Sequence, residues 1–366
     1  MNPRLQQLRT LLHEEKLDAI FVSSLPNIFY LTQFSDFTTF DRDGFVLVTN
    51  NNQYVFTHGI YQEAVAKKVK DYILIPIKRE NPISKSLKDI ITKEKITSLG
   101  IEAFDLKVDE YERLLKEVDK NIVHPTHLIQ KLRIKKTAEE IQAIKKACRL
   151  GDKAFSAILE KIRVGITEKE LAFEMELFIK QQGADISFPT IIAFGPNASN
   201  PHHVPTTAKL KANTFVLMDF GVKLHNYCSD MTRTVFFGTA SEKQKKEYQT
   251  VYTSQEKAIN KIKSLIANPK SLIKANEIDL IARNYILSQG YPDMPHSLGH
   301  GIGLDLHEAP RLTPLTDEVL TDGDVFSIEP GIYIPGKFGI RIEDLFAIQN
   351  DTLITLTKAQ SNFIEL

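Results

Sequence analysis

The chain has 366 residues, enough for two domains with a core each, and its 46 basic residues balance its 46 acidic residues. The resulting formal net charge of zero argues against a nucleic-acid-binding protein, because such proteins neutralise phosphates with an excess of Lys and Arg. The sequence shows no apolar run near the roughly 20 residues that cross a bilayer, which predicts no membrane partner. It also shows no signal-like apolar N-terminus and has only two cysteines, Cys148 and Cys228. Both features favour reduced thiols and a cytoplasmic protein.

The first third of the chain alternates between helical and strand patterns. Apolar residues recur at helical spacing over residues 2–16, and helical patterns return at 59–69, 83–94 and 108–118. Strand patterns lie between them, at residues 19–22, 45–48, 54–56, 72–75 and 98–101. This alternation predicts an α/β domain over residues 1–126, followed by a linker at residues 127–136.

Two capping boxes open the second part of the chain. Thr137 with Glu140 and Thr167 with Glu170 predict the starts of two helices, which reach about residues 162 and 182. Strand patterns dominate residues 186–237 and 324–348, and helical patterns at 241–266 and 275–289 separate them. Strands and helices clustered in this way predict an α+β domain over residues 137–366.

Four acids of this domain form two pairs, and each pair brackets a plausible hairpin. Asp219 and Asp230 are symmetric about a turn centred between residues 224 and 225, which predicts that they face each other directly, with Cβ atoms roughly 5 Å apart. Glu329 and Glu343 are symmetric about Gly336, which lies in a good turn triplet. Carboxylates held this close repel, and at least one keeps a proton unless a cation is present. The pairs therefore predict a metal centre.

The segment His296–Glu308 is more specific than either acidic pair. It contains His296, His300 and His307 together with glycines at positions 299, 301 and 303. It matches neither a His-Glu-x-x-His zinc motif nor a dinucleotide-binding fingerprint. We expect the glycines to let the backbone approach a ligand closely.

The chain resembles the M24 metallopeptidases with the pita-bread fold, and among them the aminopeptidase P and prolidase branch. The matching segments occur in the family's order: Pro196–His202, Leu217–Gly221, Ser229–Thr234, Gly299–Glu308, and Ile328–Gly331 followed by Gly339–Asp344. The first domain is similar to a creatinase-type N-terminal domain, best at Pro26–Thr32. The resemblance implies an α/β creatinase-type N-terminal domain followed by an α+β pita-bread catalytic domain.

The resemblance implies two divalent metal ions. Asp219 and Asp230 would chelate one ion, and Asp230, His300, Glu329 and Glu343 would bind the other, with Asp230 and Glu343 touching both. This oxygen-rich donor set favours Mn²⁺, with Co²⁺ or Zn²⁺ as alternatives. The metals would hold a bridging hydroxide that attacks the scissile carbonyl. Glu329 would pass its proton to the leaving proline nitrogen.

Further site residues surround these ligands. By the resemblance, His202 would hydrogen-bond the substrate backbone near the scissile bond, His307 would stabilise the tetrahedral intermediate, and His296 would bind the substrate on its proline side. Arg341, two residues before Glu343, would anchor an aspartate or a substrate carboxylate, or form a structural ion pair with a ligand acid. Phe188, which precedes a proline, is either a wall of the proline pocket or a core residue.

These features predict an Xaa-Pro aminopeptidase, which releases an N-terminal residue that precedes proline. An Xaa-Pro dipeptidase (prolidase) is the alternative, because both enzymes would use one site and differ in the peptide length they accept. Methionine aminopeptidases share the Gly-His-Gly-Ile-Gly stretch, but their final ligand has a different context. A catalytically inactive pita-bread module that binds peptides is an alternative of another class, against which the retention of all five ligands argues. The family further implies a homodimer and a proline-containing peptide as partner.

Overall fold

Two units make up the structure, a computed structural model that describes residues 2–38, 42–268 and 270–366. The first unit ends at Arg133, and the second is Ile134–Leu366. The interval that we read as a linker, residues 127–136, contains a helix, Leu128–Ile134, whose Leu128 and Ile129 are buried. The bounds of the two domains remain a prediction. None of the helices in the described ranges is long and apolar enough to span a membrane.

A six-stranded sheet with the order β4-β3-β2-β1-β5-β6 forms the centre of the first unit. Its strands are β1 (Ala19–Val22), β2 (Gly44–Thr49), β3 (Gln53–His58), β4 (Ile73–Ile77), β5 (Leu99–Ile101) and β6 (Val123–Pro125). The helices are α1 (Pro3–Glu14), α2 (Leu25–Thr32), α3 (Gln62–Lys68), α4 (Ile83–Glu94), α5 (Val108–Leu115) and α6 (Leu128–Ile134), with 3₁₀ turns at Gly59–Tyr61 and Lys120–Ile122. The predicted alternation of helices and strands is confirmed.

Within this unit, the segment Pro26–Thr32 lies in α2 and contributes a buried asparagine. Asn27 donates to Glu102 and accepts a hydrogen bond of 2.6 Å from Arg133. Glu102 also accepts from the backbone N–H groups of Ser23 and Ser24, at 2.8 and 2.7 Å. The asparagine therefore satisfies a buried polar network at the start of an otherwise apolar helix.

The second unit contains four long helices and fifteen short strands in the described residues. The helices are α7 (Ala138–Leu159), α8 (Glu168–Gln181), α9 (Glu242–Ile266) and α10 (Ala275–Ser288), with a 3₁₀ turn at Gly195–Ser199. The strands are β7 (Asp185–Ile186), β8 (Ile191–Phe194), β9 (Thr214–Phe220), β10 (Val222–Leu224), β11 (Tyr227–Cys228), β12 (Met231–Phe237), β13 (Ile273–Lys274), β14 (Gly299–Gly301), β15 (Glu308–Leu312), β16 (Val319–Leu320), β17 (Val325–Ile328), β18 (Gly331–Ile334), β19 (Phe338–Arg341), β20 (Asp344–Ile348) and β21 (Leu353–Thr355). Both predicted capping boxes are confirmed at the starts of α7 and α8.

Two sheets carry the candidate ligands and are packed against helices on one face. The three-stranded sheet β8-β9-β12 packs Met218 and Val235 with residues of α7 and α8. The five-stranded sheet β15-β14-β17-β20-β21 packs Phe326 and Phe346 with residues of α9 and α10. Because strand side chains alternate between faces, the neighbours of these core residues point away from the helices. Asp219, next to Met218, lies on that second face.

The first hairpin differs from the prediction in its register. Strands β10 and β11 pair Leu224 with Tyr227, so that His225 and Asn226 form the turn, both at positive φ (49° and 69°). In the same register, β9 and β12 pair Asp219 with Thr232 rather than with Asp230. The prediction of direct opposition is therefore wrong by two positions, because a two-residue hairpin turn places its centre between His225 and Asn226. A shift of two keeps both aspartates on one face, as diagonal neighbours.

The register of the second hairpin is confirmed. Strands β18 and β19 pair Ile334 with Phe338 around Gly336, which has a positive φ of 70°. The ladder between β17 and β20 has the same symmetry and pairs Ile328 with Asp344. Glu329 and Glu343 each lie one residue beyond that pair, between the two ladders, and their backbone N–H groups donate to Leu298 O and Thr232 O rather than to each other.

Candidate metal centre

All ten predicted site residues line one pocket of about 450 Å³ in the second unit. They are Phe188, His202, Asp219, Asp230, His296, His300, His307, Glu329, Arg341 and Glu343. Their sequence separation shows that the fold, rather than local chain geometry, brings them together. Arg311 and Leu306 also line the pocket, although the sequence did not single them out.

The five candidate ligands come from five different places in the sheets. Asp219 lies in β9, His300 in the middle of β14, and Asp230 directly before β12. Glu329 follows β17, where its backbone N–H donates to Leu298 O at 2.8 Å. Glu343 lies between β19 and β20, and its backbone N–H donates to Thr232 O at 3.1 Å. Strand ends fixed by backbone hydrogen bonds thus hold the acids in place.

Three of these residues bring their ligand atoms into one small volume. One ligand atom from each of Asp230, His300 and Glu343 lies within 4.8 Å of the other two. His300 Nε2 is 3.6 Å from both Asp230 Oδ2 and Glu329 Oε1, too far for a hydrogen bond. His300 Nδ1 is 3.0 Å from Gly301 O, which assigns the proton of a neutral ring to Nδ1. The Nε2 lone pair then points at the acids, the orientation of a metal-binding imidazole.

The acids of the centre lack the hydrogen-bond donors that buried carboxylates need. Among the described residues, Asp219 Oδ1, Asp230 Oδ1 and Glu343 Oε1 are buried without a hydrogen-bond partner. Burial raises the pKa of Asp219 to about 6 and that of Glu329 to about 7, and it also raises the pKa of Glu343. The charge of Asp230 adds to all three increases, and Arg341 partly offsets them. A cation would relieve this repulsion, so the residues fit a metal ion.

His300 responds to the same charges in the opposite sense. Burial opposes its protonation, but Asp230 and Glu329 outweigh this effect and raise the pKa of His300 to about 9. In the absence of a metal ion, the imidazole would therefore hold a proton that a metal ion would have to displace.

Arg341 is bound by the protein through all three of its side-chain nitrogens. Its Nη2 lies 2.5 Å from Asp219 Oδ2, its Nε donates to Thr232 Oγ1 at 3.0 Å, and its Nη1 donates to Tyr333 Oη at 2.8 Å. Thr232 Oγ1 in turn donates to Glu343 Oε2 at 2.7 Å. Of the roles considered for Arg341, the geometry favours the ion pair with a ligand acid.

Sequence reasoning missed Thr232 and Tyr333, which complete this network. Thr232 lies two residues after Asp230, so strand periodicity could have placed it on the same face. Tyr333 is part of the second hairpin, and nothing in the sequence distinguishes it from a core aromatic residue. Both contacts join residues that are distant in sequence or on separate strands.

His296 uses both ring nitrogens within the protein. Its Nδ1 is 2.8 Å from Ser297 O, and its Nε2 is 2.8 Å from Tyr333 Oη. Because the carbonyl can only accept, Nδ1 donates and Nε2 accepts from the tyrosine when the ring is neutral. Burial lowers the pKa of His296 to about 4, which keeps the ring neutral. His296 therefore lines the pocket as an uncharged ring.

The remaining predicted residues lie around the ligands. The ring of His307 is perpendicular to that of His300, with 4.3 Å between centroids, and burial lowers its pKa. His202 is exposed at the rim, in the irregular segment after the 3₁₀ turn Gly195–Ser199. Phe188 is partly buried between β7 and β8, and it lines the pocket. Of the two interpretations of Phe188, the pocket wall is the one that this position favours.

The glycines of the histidine-rich segment serve packing within the protein. A Cβ atom on Gly299 would collide with the carbonyl oxygen of Ser327, and one on Gly301 would collide with that of Ala309. The expectation that these two glycines admit a ligand is wrong, because the protein's own backbone fills the space. They instead allow β14 to lie close to β17 and β15, and this close packing fixes the position of His300 between the two strands.

The chain is similar to known proteins along its whole length. Residues 142–350 match metallopeptidase family M24, and residues 4–135 match the creatinase/prolidase N-terminal domain. The chain is 35% identical to an Xaa-Pro dipeptidase of Pyrococcus horikoshii over 367 residues. The alignment covers all of this chain and 99% of that protein.

Solved structures show the same similarity. An Xaa-Pro dipeptidase from Bacillus anthracis has a TM-score of 0.91 and 33% identity, with 99% of both chains covered. An X-Pro aminopeptidase from Thermotoga maritima has a TM-score of 0.85 and 28% identity, with 96% of this chain and 98% of that one covered.

These matches confirm the predicted order of an α/β creatinase-type N-terminal domain and an α+β pita-bread domain. They also confirm that the protein is a hydrolase whose family implies a divalent metal ion. The chain therefore belongs to metallopeptidase family M24.

Proposed function

We propose that the protein is an Xaa-Pro dipeptidase, which hydrolyses the bond between a residue and a C-terminal proline with two divalent metal ions. The observation that carries this proposal is the convergence of four acids and one histidine in one pocket, with three buried carboxylate oxygens that lack partners. The restriction to dipeptides is supported by the full-length similarity to Xaa-Pro dipeptidases. The prolidase alternative is thus better supported than the aminopeptidase that the sequence favoured.

The proposed metal ligands are Asp219 and Asp230 for one ion and Asp230, His300, Glu329 and Glu343 for the other. Their carboxylate-rich donor set favours Mn²⁺, with Co²⁺ or Zn²⁺ as alternatives. Bound there, the two ions would act as Lewis acids and make a nucleophile of water at neutral pH. Arg341 and Thr232 would orient Asp219 and Glu343 through the hydrogen bonds described above.

Glu329 is proposed to carry the proton that the reaction moves. Its carboxylate lies in the pocket beside the other proposed ligands, where it could accept a proton from the attacking water and donate it to the leaving nitrogen. The leaving group needs this proton, because the proline nitrogen would otherwise have to depart as an anion, which makes it a poor leaving group. His202 and His307 would donate hydrogen bonds to the substrate and to the developing oxyanion.

The pocket is proposed to hold the proline ring against uncharged walls. Phe188 and the neutral ring of His296 both line it. A volume of about 450 Å³ lies within the range of sites that enclose small ligands, and a dipeptide is one of these.

Peptide length and metal content test this proposal together. After reconstitution with Mn²⁺, the protein should hydrolyse an Xaa-Pro dipeptide and leave an Xaa-Pro-Yaa tripeptide intact, and elemental analysis should find two ions per chain. Comparable kcat/KM values for both peptides would instead establish the aminopeptidase, to which the similarity with the Thermotoga maritima enzyme points. No turnover and no bound metal would favour an inactive peptide-binding module.

A homodimer and a cytoplasmic location also form part of the proposal; the dimer rests on the family resemblance, and the location rests on the two cysteines and the absence of a signal-like apolar segment. Sedimentation analysis of the metal-loaded protein should give twice the mass of the 366-residue chain. A monomer at assay concentration that retains full activity would remove the dimer from the proposal.

A further inference from the structure

A buried carboxylate outside the metal centre binds the segment that carries His202. Glu168 is the first residue of α8, and its side chain is fully buried. It accepts five hydrogen bonds, from Phe194 N (2.8 Å), Asn197 Nδ2 (2.8 Å), His203 Nε2 (2.9 Å), Thr206 N (2.9 Å) and Thr206 Oγ1 (2.6 Å). Every one of these donors lies in the interval between residues 194 and 206.

The two carboxylate oxygens bind opposite ends of this interval. Oε1 accepts the bonds from Phe194 and Asn197, which precede His202, and Oε2 accepts those from His203 and Thr206, which follow it. One rigid group therefore fixes the distance between the two ends of the segment. His202, between them, lines the pocket.

The segment has little regular structure of its own. Beyond the 3₁₀ turn Gly195–Ser199, residues 200–206 are irregular, and His202 N donates only to the nearby Asn200 Oδ1, at 3.2 Å. Two further contacts support the ends: Ala198 O packs against Gly339, where a Cβ atom would collide with it, and Lys169 N donates to Thr206 O at 3.1 Å. The position of His202 thus depends on anchors at both ends of the segment.

We propose that Glu168 is a positioning residue for peptide hydrolysis: it holds the segment 194–206 in the one arrangement that directs His202 into the substrate pocket. This inference rests on the proposed function, since His202 is assigned a substrate-binding role there. Glu168 does not touch the substrate, and it acts only through the segment.

The electrostatic setting of Glu168 supports a permanent charge. The N-terminus of α8 favours an anion at this position. Burial opposes ionisation, but the bonds from Thr206, His203, Asn197 and Phe194 outweigh it and lower the pKa of Glu168. A charged acceptor also makes stronger hydrogen bonds than a neutral amide.

The substitution Glu168→Gln tests the proposal with little change in volume. A glutamine can keep its oxygen toward Phe194 and Asn197, but its NH₂ group then faces the N–H of Thr206, which also donates. The bond from the Thr206 N–H is therefore lost, and those with His203 and the Thr206 hydroxyl persist only if both groups change from donor to acceptor, whereas the bonds before His202 remain. Glu170→Gln is the matched control, because Glu170 is an exposed carboxylate in the same helical turn that accepts from Thr167 and not from the segment.

We expect Glu168→Gln to lower kcat/KM for an Xaa-Pro dipeptide roughly 10- to 100-fold, the size of effect that misplacement of a substrate-binding group produces. Bound metal should stay at the wild-type level, because the proposed ligands lie on other elements. His202→Ala should cause a loss of similar size, and the double variant should be no worse than His202→Ala alone. Multiplied losses in the double variant, or equal activity of the Glu168 and Glu170 variants, would overturn the proposal.

Hydrogen exchange gives a readout that does not depend on catalysis. Amides of residues 194–206 should exchange faster in Glu168→Gln than in Glu170→Gln, and exchange equal in both would also overturn the proposal. If the Glu168 variant fails to fold, Thr206→Val removes one donor to the carboxylate and should show the same changes on a smaller scale. If the wild type hydrolyses no Xaa-Pro peptide, the proposed function fails, and the exchange comparison still decides whether Glu168 orders the segment.

Discussion

Glu168 and three acids of the candidate metal centre, Asp219, Asp230 and Glu343, are buried carboxylates, but only Glu168 has hydrogen-bond donors for both of its oxygens. Glu168 accepts five hydrogen bonds, and its pKa is lowered. In the metal centre, Asp219, Asp230 and Glu343 each keep one buried oxygen without a partner, and the pKa values of Asp219 and Glu343 are raised. A buried carboxylate whose oxygens are both hydrogen-bonded needs no cation, whereas several bare carboxylate oxygens in one pocket favour the binding of a cation.

The largest effect should come from a change to an acid that lacks partners. Glu343→Gln removes one of the converging ligands without a large change in volume, and we expect kcat/KM to fall by at least about 10³-fold. Elemental analysis should show fewer than two metal ions per chain, while circular dichroism stays unchanged. Glu170→Gln, which alters an exposed acid, should keep both activity and metal. Full activity of Glu343→Gln would exclude it as a ligand.

Removal of the metal should make stability depend on pH in a specific direction. The folded pKa values of Asp219 (about 6), Glu329 (about 7) and His300 (about 9) all lie above their ordinary values of 3.8, 4.5 and 6.5. At these three groups the folded state binds more protons than the unfolded state between about pH 4 and pH 9, so stability falls as the pH rises through this window. His296, whose folded pKa of about 4 lies below its ordinary value of 6.5, partly offsets this loss below about pH 6.5.

Urea unfolding of the chelated protein at pH 5 and pH 8 measures this difference, which we expect to be on the order of 2–5 kcal/mol. The metal-loaded protein should lose much less stability over the same interval, because the cation replaces the protons. Parallel pH profiles for the two forms would contradict the assignment of these groups to a metal centre.

Arg341→Lys tests whether the arginine supports a ligand or binds substrate. Lysine cannot make the three contacts to Asp219, Thr232 and Tyr333 together, and we expect kcat to fall roughly 10-fold, with weaker metal binding and little change in KM. A rise in KM alone would show instead that Arg341 binds a substrate carboxylate.

The smallest effect should come from Thr232→Val, which removes one hydroxyl group between Arg341 and Glu343. We expect metal affinity to fall up to about 10-fold, measured by titration with Mn²⁺, because the hydroxyl orients a ligand without touching the metal. Thr232→Ser keeps the hydroxyl and should restore the affinity. If valine and serine behave alike, the hydroxyl does not orient Glu343.

The sequence predicted local features well and distant contacts poorly. The capping boxes of α7 and α8 and the register around Gly336 follow from residues that are close in sequence, and the structure confirms them. The four acids were found from the symmetry of their pairs, three histidines from their glycine-rich segment and Arg341 from its spacing to Glu343, and the family resemblance gave the ligands and the histidines their roles. Neither periodicity nor spacing could show that residues as distant as Phe188 and Glu343 share a pocket.

The contacts that sequence reasoning missed join separate elements. Glu168 could be read only as an acid at a helix start, because its donors lie 26 to 38 residues further along the chain. Thr232 and Glu343 are 111 residues apart. The error in the first hairpin has another cause. The two aspartates were assumed to be opposite each other, which placed the centre of the turn between residues 224 and 225. The turn residues are in fact His225 and Asn226, which both have a positive φ.

That turn, His225-Asn226, imposes a limit on loop length. Surface loops usually tolerate insertions and deletions. Here an inserted residue that the turn does not absorb as a longer loop would shift β12 by one position against β9, exchange the faces of its side chains, and replace Thr232 by its neighbours beside Asp219. Neither residue lines the pocket, yet their turn helps to fix the register of the strands beside the candidate metal centre, and length variation among related proteins should therefore be rare in this loop.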